Sequence, residues 1–481
     1  MLKRKVVEKC TRGLRFVTVA ILLAALFTTA VSAASVTVTN ATQFKDTAGN
    51  ALHAHGGGVI KVGSYYYWFG ENRNADNTFY AVSCYRSTDL KNWEFRNHVL
   101  RQTSATELNK AYIERPKVIY NAATKKYVMW MHKENGANYS EARAAVAVCD
   151  TVDGNYTWQG SFRPLNAHMS RDCTAYVDDD GTGYFISAAN ENRDLHVYRL
   201  NSDYLTINSL VVKLFVGVSR EAPAMFKRNG YYYLLTSGCT GWNPNQQQYS
   251  YSRSISSGWS SLTNIGNSNC YRSQTTYVLP IQGTQGTTFL YMGDRWGNSF
   301  GKTANDSLYV WAPIKFNSDT SLSLYYGDIL TVDAAAGTAT IPTYYKIQNQ
   351  KSGKLMEVSG QSTADGGDIV QYTDNGGLNQ HWRVADVSGY KKLVNRWSGK
   401  VADVDGGSTA DGGDVIQWTD NSGTNQQWTI TDMGSGWNKI TNRKSGKVMD
   451  VSGGSTADSG DIVQWTDNGG TNQRWKLTQV Q

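Results

Sequence analysis

Five polar residues stand at the heads of five similar segments between residues 55 and 300, and three of them are carboxylic acids. They are His55, Glu114, Asp172, Glu221 and Gln274. Behind each head, a short apolar run, a tight turn and a Tyr-rich run follow, which is typical of paired β-strands. Neighbouring carboxylates raise one another's pKa, so that one can serve as a general acid while another stays ionised. The pattern therefore predicts an acid–base site built from separate segments.

Small sheets that repeat along a chain are typical of a β-propeller, in which the heads of the innermost strands meet at one axis. Five such units predict a five-bladed β-propeller over residues 34–340. His55 has no His or Asp partner at metal-binding spacing, so the sequence predicts no catalytic metal and no cofactor.

A stricter repeat follows residue 342. Three copies open with Ser-Gly-Lys at Ser352, Ser398 and Ser445, and each closes with Asn-Gln-x-Trp. Such short copies cannot bury their apolar faces singly, so they are expected to pack together about a threefold axis. The closing tryptophans, predicted to be core residues, are Trp382, Trp428 and Trp475. The predicted fold class is thus all-β, a five-bladed propeller followed by a second domain over residues 343–481.

Residues 1–33 have the features of a signal peptide: a basic start, the short apolar stretch 16–26 and a small-residue cleavage site at Val31–Ala33. This segment holds six Lys or Arg and one Glu, so its removal lowers the formal net charge from +7 to +2. The basic balance thus gives no reason to expect a nucleic-acid partner. We expect a secreted, monomeric protein with no membrane contact after cleavage.

Five cysteines remain after the signal peptide, and none forms a CxxC pair. Zinc binding and dithiol redox chemistry are therefore not expected. Export allows disulfides, and Cys239 with Cys270, which flank one long loop, is the first pair to consider.

The C-terminal region resembles the ricin-B-type lectins (carbohydrate-binding module family 13), which are β-trefoils, through its three Asn-Gln-x-Trp motifs. The resemblance implies galactose-like ligands held by an acid, a stacking aromatic and an Asn-Gln pair in each lobe. These residues are Asp403, Trp418, Asn425 and Gln426 in the second copy, and Asp450, Trp465, Asn472 and Gln473 in the third. The first copy departs from the pattern with Glu357 and Tyr372.

The preceding region resembles the exo-β-1,3-galactanase branch of glycoside hydrolase family 43. The segments that carry the resemblance include Gly70–Arg73, Ile113–Lys117, Ser170–Thr174, Ser219–Pro223, Thr240–Pro244 and Ser273–Thr276. The resemblance implies an inverting hydrolase in which Glu221 is the general acid, Gln274 takes the position of the base, and Glu114 binds sugar or orients the catalytic groups. Substrate contacts are expected from Asp172, Glu71, Tyr139, Asn190 and Thr240, while Trp242 and Trp296 are either sugar platforms or core.

The position of the base leaves two alternatives open. A neutral amide is a poor base, so Gln274 either reacts as an imidic-acid tautomer or only positions water while a group such as Glu114 takes the proton. The expected function is a secreted exo-β-1,3-galactanase acting on β-1,3-galactan of arabinogalactans. The alternatives are an α-L-arabinofuranosidase or β-xylosidase of the same clan, and a non-catalytic galactose-binding lectin.

Overall fold

The computed structural model describes residues 35–480, and these residues form an all-β structure. The predicted signal peptide lies outside the described residues. Between residues 35 and 480 the helical segments are short 3-10 turns, and none of them has the length and apolar character to cross a membrane.

Five four-stranded antiparallel sheets, each a meander of consecutive strands, make up most of the region up to residue 324. Their strands are β2 (His55–Val62), β3 (Tyr65–Arg73), β4 (Phe79–Ser87) and β5 (Glu94–Arg101); β6 (Tyr112–Asn121), β7 (Lys126–Glu134), β8 (Arg143–Cys149) and β9 (Thr157–Phe162); β10 (Cys173–Val177), β11 (Gly183–Ala189), β12 (Asp194–Leu200) and β13 (Ile207–Leu214); β14 (Arg220–Arg228), β15 (Tyr231–Gly238), β16 (Gln247–Ser252) and β17 (Thr263–Ile265); and β18 (Gln274–Gly283), β19 (Gly286–Arg295), β20 (Leu308–Ser318) and β21 (Ser321–Leu324).

The first strands of these sheets, β2, β6, β10, β14 and β18, contact one another in sequence, and β18 returns to β2. This closed ring of inner strands makes the region a β-propeller. Aromatic clusters fill the spaces between the sheets. One of them packs Trp68, Trp93 and Trp311, all fully buried, against the buried Tyr309.

A sixth sheet, which the repeat pattern did not predict, has three strands in the order β1 (Val36–Thr39), β22 (Ile329–Asp333) and β23 (Thr338–Thr340). Its strands come from both ends of the propeller region, and β23 contacts the fifth four-stranded sheet. The region thus contains six sheets rather than five. The apolar runs of this sheet are short and lie far apart in the chain, which is why the pattern did not reveal it.

The C-terminal region is a β-trefoil of three similar lobes, named lobe 1, lobe 2 and lobe 3 after the copies that open at Ser352, Ser398 and Ser445. Its strands are β24 (Tyr344–Asn349), β25 (Leu355–Val358), β26 (Gly367–Tyr372), β27 (His381–Val387), β28 (Tyr390–Asn395), β29 (Val401–Val404), β30 (Gly413–Trp418), β31 (Trp428–Asp432), β32 (Asn438–Asn442), β33 (Val448–Val451), β34 (Gly460–Trp465) and β35 (Trp475–Val480). Strands β26, β30 and β34 pair with one another, one from each lobe.

The prediction of a tryptophan core in the trefoil is confirmed. Trp382, Trp428 and Trp475 are fully buried in one cluster. Each indole N–H donates to a backbone carbonyl of its own lobe, at 2.9, 3.1 and 3.0 Å. Burying the ring while satisfying its polar atom is what a core tryptophan requires.

The five described cysteines are free thiols, so the expected pairing of Cys239 with Cys270 is wrong in this structure. Cys270 is buried, and its thiol lies 3.5 Å from the hydroxyl of Tyr291. Cys239 is exposed at the end of β15, where it lines a cavity described below. The two residues flank one loop in sequence, but they belong to different environments.

Candidate active site

The polar heads reach the propeller axis because the inner strands are irregular at their first residues. Register shifts follow His55, Glu114 and Glu221 in the pairing of β2, β6 and β14 with their neighbours. In each bulge, the residue after the head has a left-handed backbone, with φ of 61° at Gly56, 53° at Arg115 and 52° at Ala222. Bulges bend a strand and redirect its side chains. Glu114 and Glu221 thereby face the cavity described next, whereas the His55 ring stacks on Tyr309.

A cavity of about 340 Å³ lies where the heads meet. This volume is near the lower end of the roughly 300–1,000 Å³ typical of ligand sites. Six predicted site residues line it: Glu71, Glu114, Tyr139, Asp172, Glu221 and Gln274. The structure therefore brings most of the sequence-predicted site together, and His55 is not among the lining residues.

Glu221 has the environment of a general acid. Burial and the neighbouring carboxylate of Asp172 raise its pKa to about 8, although the Arg115 guanidinium opposes the shift. Gln274 Nε2 donates to one carboxyl oxygen at 3.0 Å and Asn192 Nδ2 to the other at 3.1 Å. At neutral pH this carboxyl keeps its proton and has a fixed orientation, which proton donation to a leaving group requires.

Glu114 has the opposite environment. Burial alone would raise its pKa, but contacts with His132 and Arg73 outweigh that effect and hold the pKa far below the usual range. Arg73 Nη2 lies 2.9 Å and the Tyr139 hydroxyl 2.8 Å from Oε1, while His132 Nδ1 lies 3.1 Å from Oε2. Glu114 is therefore ionised at neutral pH. Because its pKa is so low, it is a weak proton acceptor.

The Gln274 side chain uses all of its hydrogen-bonding groups within the protein. Its oxygen accepts from Arg115 Nη2 at 2.7 Å and from Trp296 Nε1 at 2.8 Å. Its amide nitrogen donates to Glu221 and, at 2.9 Å, to Ser237 Oγ. An imidic acid would need a proton on the oxygen that already faces these two donors, so the unliganded arrangement favours the ordinary amide. In this state Gln274 orients the acid.

Arg115 links the other groups of the site. Its Nε lies 2.9 Å from Asp172 Oδ2, while Nη2 binds Gln274. The backbone N–H of Ala222 also donates to Asp172 Oδ2, at 3.1 Å. Asp172 is therefore connected to both Gln274 and the strand that carries Glu221, and its carboxylate is one cause of the raised pKa of Glu221.

Glu114, His132 and Asp172 place potential metal ligands within 4.8 Å of one another, a grouping the sequence did not predict. Burial lowers the pKa of His132, but Glu114 and Glu134 overcome this and raise it to about 9. A protonated imidazole cannot ligate a metal. The three side chains fit an ion-pair network with Arg73 and Arg115 better than a metal centre.

Two expected substrate contacts are not among the lining residues. Residues 190–192 all have left-handed φ values, and this coiled loop places Asn192, not Asn190, in the cavity. Asn190 Nδ2 lies 3.3 Å from Asp194. The Thr240 hydroxyl donates to the Asn243 carbonyl at 2.6 Å, within its own loop. The adjacent Cys239 and Gly241 line the cavity instead.

Several lining residues were not predicted from the sequence: Arg73, Arg115, His132, Arg171 and Asn192. Strand register could have identified His132, because it lies directly opposite Glu114 in the β6–β7 pair. Arg73 and Arg115 are within segments that define the resemblance.

Trp242 and Trp296 both line the cavity, with ring centroids 5.2 Å apart, and Trp296 also holds Gln274.

Lobes 2 and 3 of the trefoil each assemble the four predicted sugar-site residues in the same way. Asn425 and Gln426 donate to the two oxygens of Asp403 at 2.7 and 2.8 Å. The corresponding distances to Asp450 are 2.9 Å from Asn472 and 2.7 Å from Gln473. Trp418 and Trp465 are 39% and 42% exposed, which leaves ring surface free for stacking. Gln426 and Gln473 are fully buried and therefore orient the acids.

Lobe 1 departs from this arrangement. Gln380 holds Glu357 at 2.7 Å, but Asn379 donates to the Val358 carbonyl at 2.9 Å. The second amide near Glu357 Oε2 is Asn375, at 3.3 Å. The longer Glu side chain thus has a different set of neighbours from Asp403 and Asp450.

Comparison with known protein families agrees with this geometry. The model of glycosyl hydrolases family 43 matches residues 55–294. The ricin-type β-trefoil lectin domain-like model matches residues 336–418, 378–465 and 424–481. A solved exo-β-1,3-galactanase from Clostridium thermocellum is 56% identical, covers 92% of this chain and 100% of its own, and has a TM-score of 0.65. This chain belongs to glycoside hydrolase family 43.

Two other similar solved structures have lower sequence identity to this chain. An exo-β-1,3-galactanase from Phanerochaete chrysosporium, solved with β-1,3-galactotriose, is 28% identical over 92% of this chain and 93% of its own, with a TM-score of 0.61. A putative exo-β-1,3-galactanase from Bifidobacterium bifidum is 32% identical over 60% of this chain and 97% of its own, with a TM-score of 0.56.

A curated relative has a different stated activity. A xylan 1,3-β-xylosidase from Vibrio sp. is 23% identical over 202 residues, which are 37% of this chain and 35% of the xylosidase. The match thus spans about a third of that relative's length. Together, the family matches identify the protein as a glycoside hydrolase with a lectin-type trefoil.

Proposed function

We propose that this family 43 protein is an exo-β-1,3-galactanase that removes galactose from the non-reducing ends of β-1,3-galactan chains. The supporting observation is Glu221, a buried carboxyl that keeps its proton near neutral pH inside a cavity lined by four of the five inner strand heads. The 56% identity to a galactanase over that enzyme's full length supports the choice of substrate. In this proposal the five four-stranded sheets are the blades and the three-stranded sheet closes the ends of the region.

The proposed reaction breaks the bond between the anomeric carbon and the glycosidic oxygen. Glu221 gives its proton to that oxygen, and a water molecule attacks the anomeric carbon from the opposite face, which inverts the configuration. The attacking water loses a proton to solvent, and Glu221 takes a proton from solvent before the next cycle. Free galactose and a chain shortened by one residue are the products.

We infer that Gln274 changes partners when substrate binds. In an inverting enzyme, the acid lies on the leaving-group side of the sugar and the residue that activates water on the other, about 6.5–9.5 Å apart. Gln274 Nε2 is 3.0 Å from Glu221, so a sugar ring in its reacting position must part them. Gln274 is then free to orient the attacking water, while Arg115 and Trp296 hold its oxygen.

The trefoil is proposed to keep the enzyme on its substrate. Lobes 2 and 3 each present a carboxylate held by two amides and an exposed tryptophan, a combination suited to galactose-like sugars. Several weak sites on one chain raise the effective concentration of polysaccharide near the cavity. Export by the N-terminal signal and action as a monomer outside the cell are part of the same proposal.

The proposal is tested by incubating the protein with β-1,3-galactan and following free galactose. Release of galactose is expected, with little product from arabinan or xylan. Sugar release from arabinan or xylan alone would instead favour the arabinofuranosidase or xylosidase alternative, which the xylosidase relative supports. Binding without turnover would favour a lectin, an alternative to which the neutral Gln274 gives some weight.

A further inference from the structure

The three trefoil lobes differ at a pair of positions beside the sugar-site acid. In lobes 2 and 3, the turn after the acid ends at Gly407 and Gly454, with left-handed φ values of 61° and 60°. A lysine lies over each glycine: Lys444 over Gly407 and Lys351 over Gly454. Each lysine directly precedes a Ser-Gly-Lys motif, which belongs to the neighbouring lobe. A Cβ atom at either glycine would collide with the lysine ammonium.

Lobe 1 has both positions changed. Gln361 takes the glycine position with the same left-handed backbone, at φ 53°, and Trp397 takes the lysine position. The Trp397 indole N–H donates to the Gln361 carbonyl at 2.8 Å. The Gln361 Cβ occupies space that the lysines fill in lobes 2 and 3, so the two replacements fit each other.

In every lobe this position lies against the turn that follows the acid. Burial raises the pKa of Asp403, and the Lys444 ammonium opposes that shift; Lys351 acts in the same way on Asp450. By the threefold repeat, Trp397 has the same position relative to Glu357 as Lys444 has relative to Asp403. Glu357 lies four residues before Gln361 in the chain. Lobe 1 thus has an aromatic ring where the other two sites have a cation.

Trp397 is both exposed and fixed in place. Its side chain is 46% exposed although its polar atom is bonded within the protein. The preceding Arg396 binds Asp328, which precedes β22 of the three-stranded sheet, at 2.7 Å, and stacks on Tyr344 with its guanidinium 4.7 Å from the ring. An exposed aromatic ring held this firmly loses little freedom when a sugar stacks on it.

We propose that Trp397 is the sugar-stacking residue of lobe 1, so that lobe 1 binds a neutral galactose-like pyranose through Trp397 and the Glu357 carboxylate. The inference rests on the proposed sugar binding by the trefoil. Glu357 accepts sugar hydroxyls while Gln380 holds it, and Trp397 covers the apolar face of the ring. Lobe 1 is then a distinct site rather than a weakened copy of the other two.

The test uses the full-length Glu221→Gln protein labelled with 5-fluorotryptophan, so that galactose titrations are followed by ¹⁹F NMR without hydrolysis of added sugars. Single Trp397→Phe, Trp418→Phe and Trp465→Phe variants assign the three resonances. We expect the Trp397 signal to shift saturably with galactose, and to do so still after Asp403→Asn and Asp450→Asn. Glu357→Gln should abolish the Trp397 shift but leave that of Trp418, which shows that the variant is folded.

Two results would overturn the proposal, and they differ in meaning. If the Trp418 and Trp465 signals move with galactose while the Trp397 signal stays fixed, lobe 1 has no such site and the lectin function stands. If none of the three signals moves, sugar binding by the trefoil itself fails.

Discussion

Glu221 and Glu114 line one cavity, and their pKa values are displaced in opposite directions. Glu221 is buried beside Asp172 and keeps its proton, whereas Glu114 is held ionised by His132 and Arg73. The two carboxyl groups can therefore take different roles, because Glu221 can donate a proton while Glu114 can bind sugar hydroxyls as an anion.

The raised pKa of Glu221 predicts how activity depends on pH. Since the acid works only in its protonated form, kcat/KM on a soluble β-1,3-linked galacto-oligosaccharide should fall as pH rises through about 8. Above that value the decline should be about tenfold per pH unit. This fall is the alkaline limb of the pH profile of kcat/KM. An alkaline limb near the ordinary glutamate pKa of about 4.3 would contradict the assignment of Glu221 as the acid.

Arg115 offers a test of the coupling among site residues. Its guanidinium lowers the pKa of Glu221 and holds Gln274 and Asp172. Arg115→Met should therefore move the alkaline limb to higher pH and lower kcat by about 10²-fold, since catalytic groups lose their alignment.

Arg115→Lys is the matched control, because it keeps the charge but not the two-pronged contact. It should lower kcat while leaving the alkaline limb close to that of the unaltered protein. An unchanged limb in Arg115→Met would show that Arg115 does not act on the acid.

At the scale of the strands, the sequence predicted where the heads lie but not how they turn. Alternation of apolar and polar residues identifies a strand and its polar first residue, so the positions of Glu114, Glu221 and Gln274 could be inferred. A bulge adds a residue to one strand without breaking the apolar run, so the left-handed Arg115 and Ala222 gave no signal. The sequence therefore did not predict that the Arg115 guanidinium connects Gln274 with Asp172.

Close backbone packing in the first four-stranded sheet is required to position Glu71. Gly70 on β3 lies against the backbone of Ala54, so a Cβ atom there would collide with main-chain atoms. Gly70→Ala should lower the free energy of unfolding of the propeller by about 1–3 kcal/mol, as overpacking does, and reduce activity. Chemical unfolding and turnover of a galacto-oligosaccharide measure both effects.

Gly63→Ala is the control for that substitution. Gly63 lies in the turn between β2 and β3 with open space around it, and its φ of 60° makes only local strain. Its expected cost is about 1 kcal/mol, with activity retained. Equal losses of stability and activity in both variants would mean that close packing at Gly70 has no special part in the site.

At the scale of the whole molecule, the two regions were predictable because each is a repeat. The strict trefoil copies revealed their core tryptophans and the acids of lobes 2 and 3. The three-stranded sheet was not predictable, since its strands come from residues 36–39 and 329–340 and carry no repeated motif. Pairing between distant segments depends on tertiary packing, which short sequence patterns do not record.

The trefoil is expected to matter only for polymeric substrate. Asp403→Asn with Asp450→Asn should leave kcat/KM on β-1,3-galactotriose unchanged and lower the rate on insoluble arabinogalactan by about tenfold, because multivalent attachment is lost. Asp414→Asn, which changes an exposed carboxylate on β30, serves as the control. Equal rates on the insoluble substrate would show that lobes 2 and 3 do not tether the enzyme.

The most direct test of the account is the digestion of β-1,3-galactotriose labelled at its reducing end, with the unaltered protein and with Glu221→Gln. Unlabelled galactose and labelled disaccharide should appear first. Glu221→Gln should bind the trisaccharide but release galactose about 10³-fold more slowly, since a general acid contributes roughly 10²–10⁴-fold. Labelled galactose as the first product, or a Glu221→Gln protein as active as the unaltered one, would contradict it.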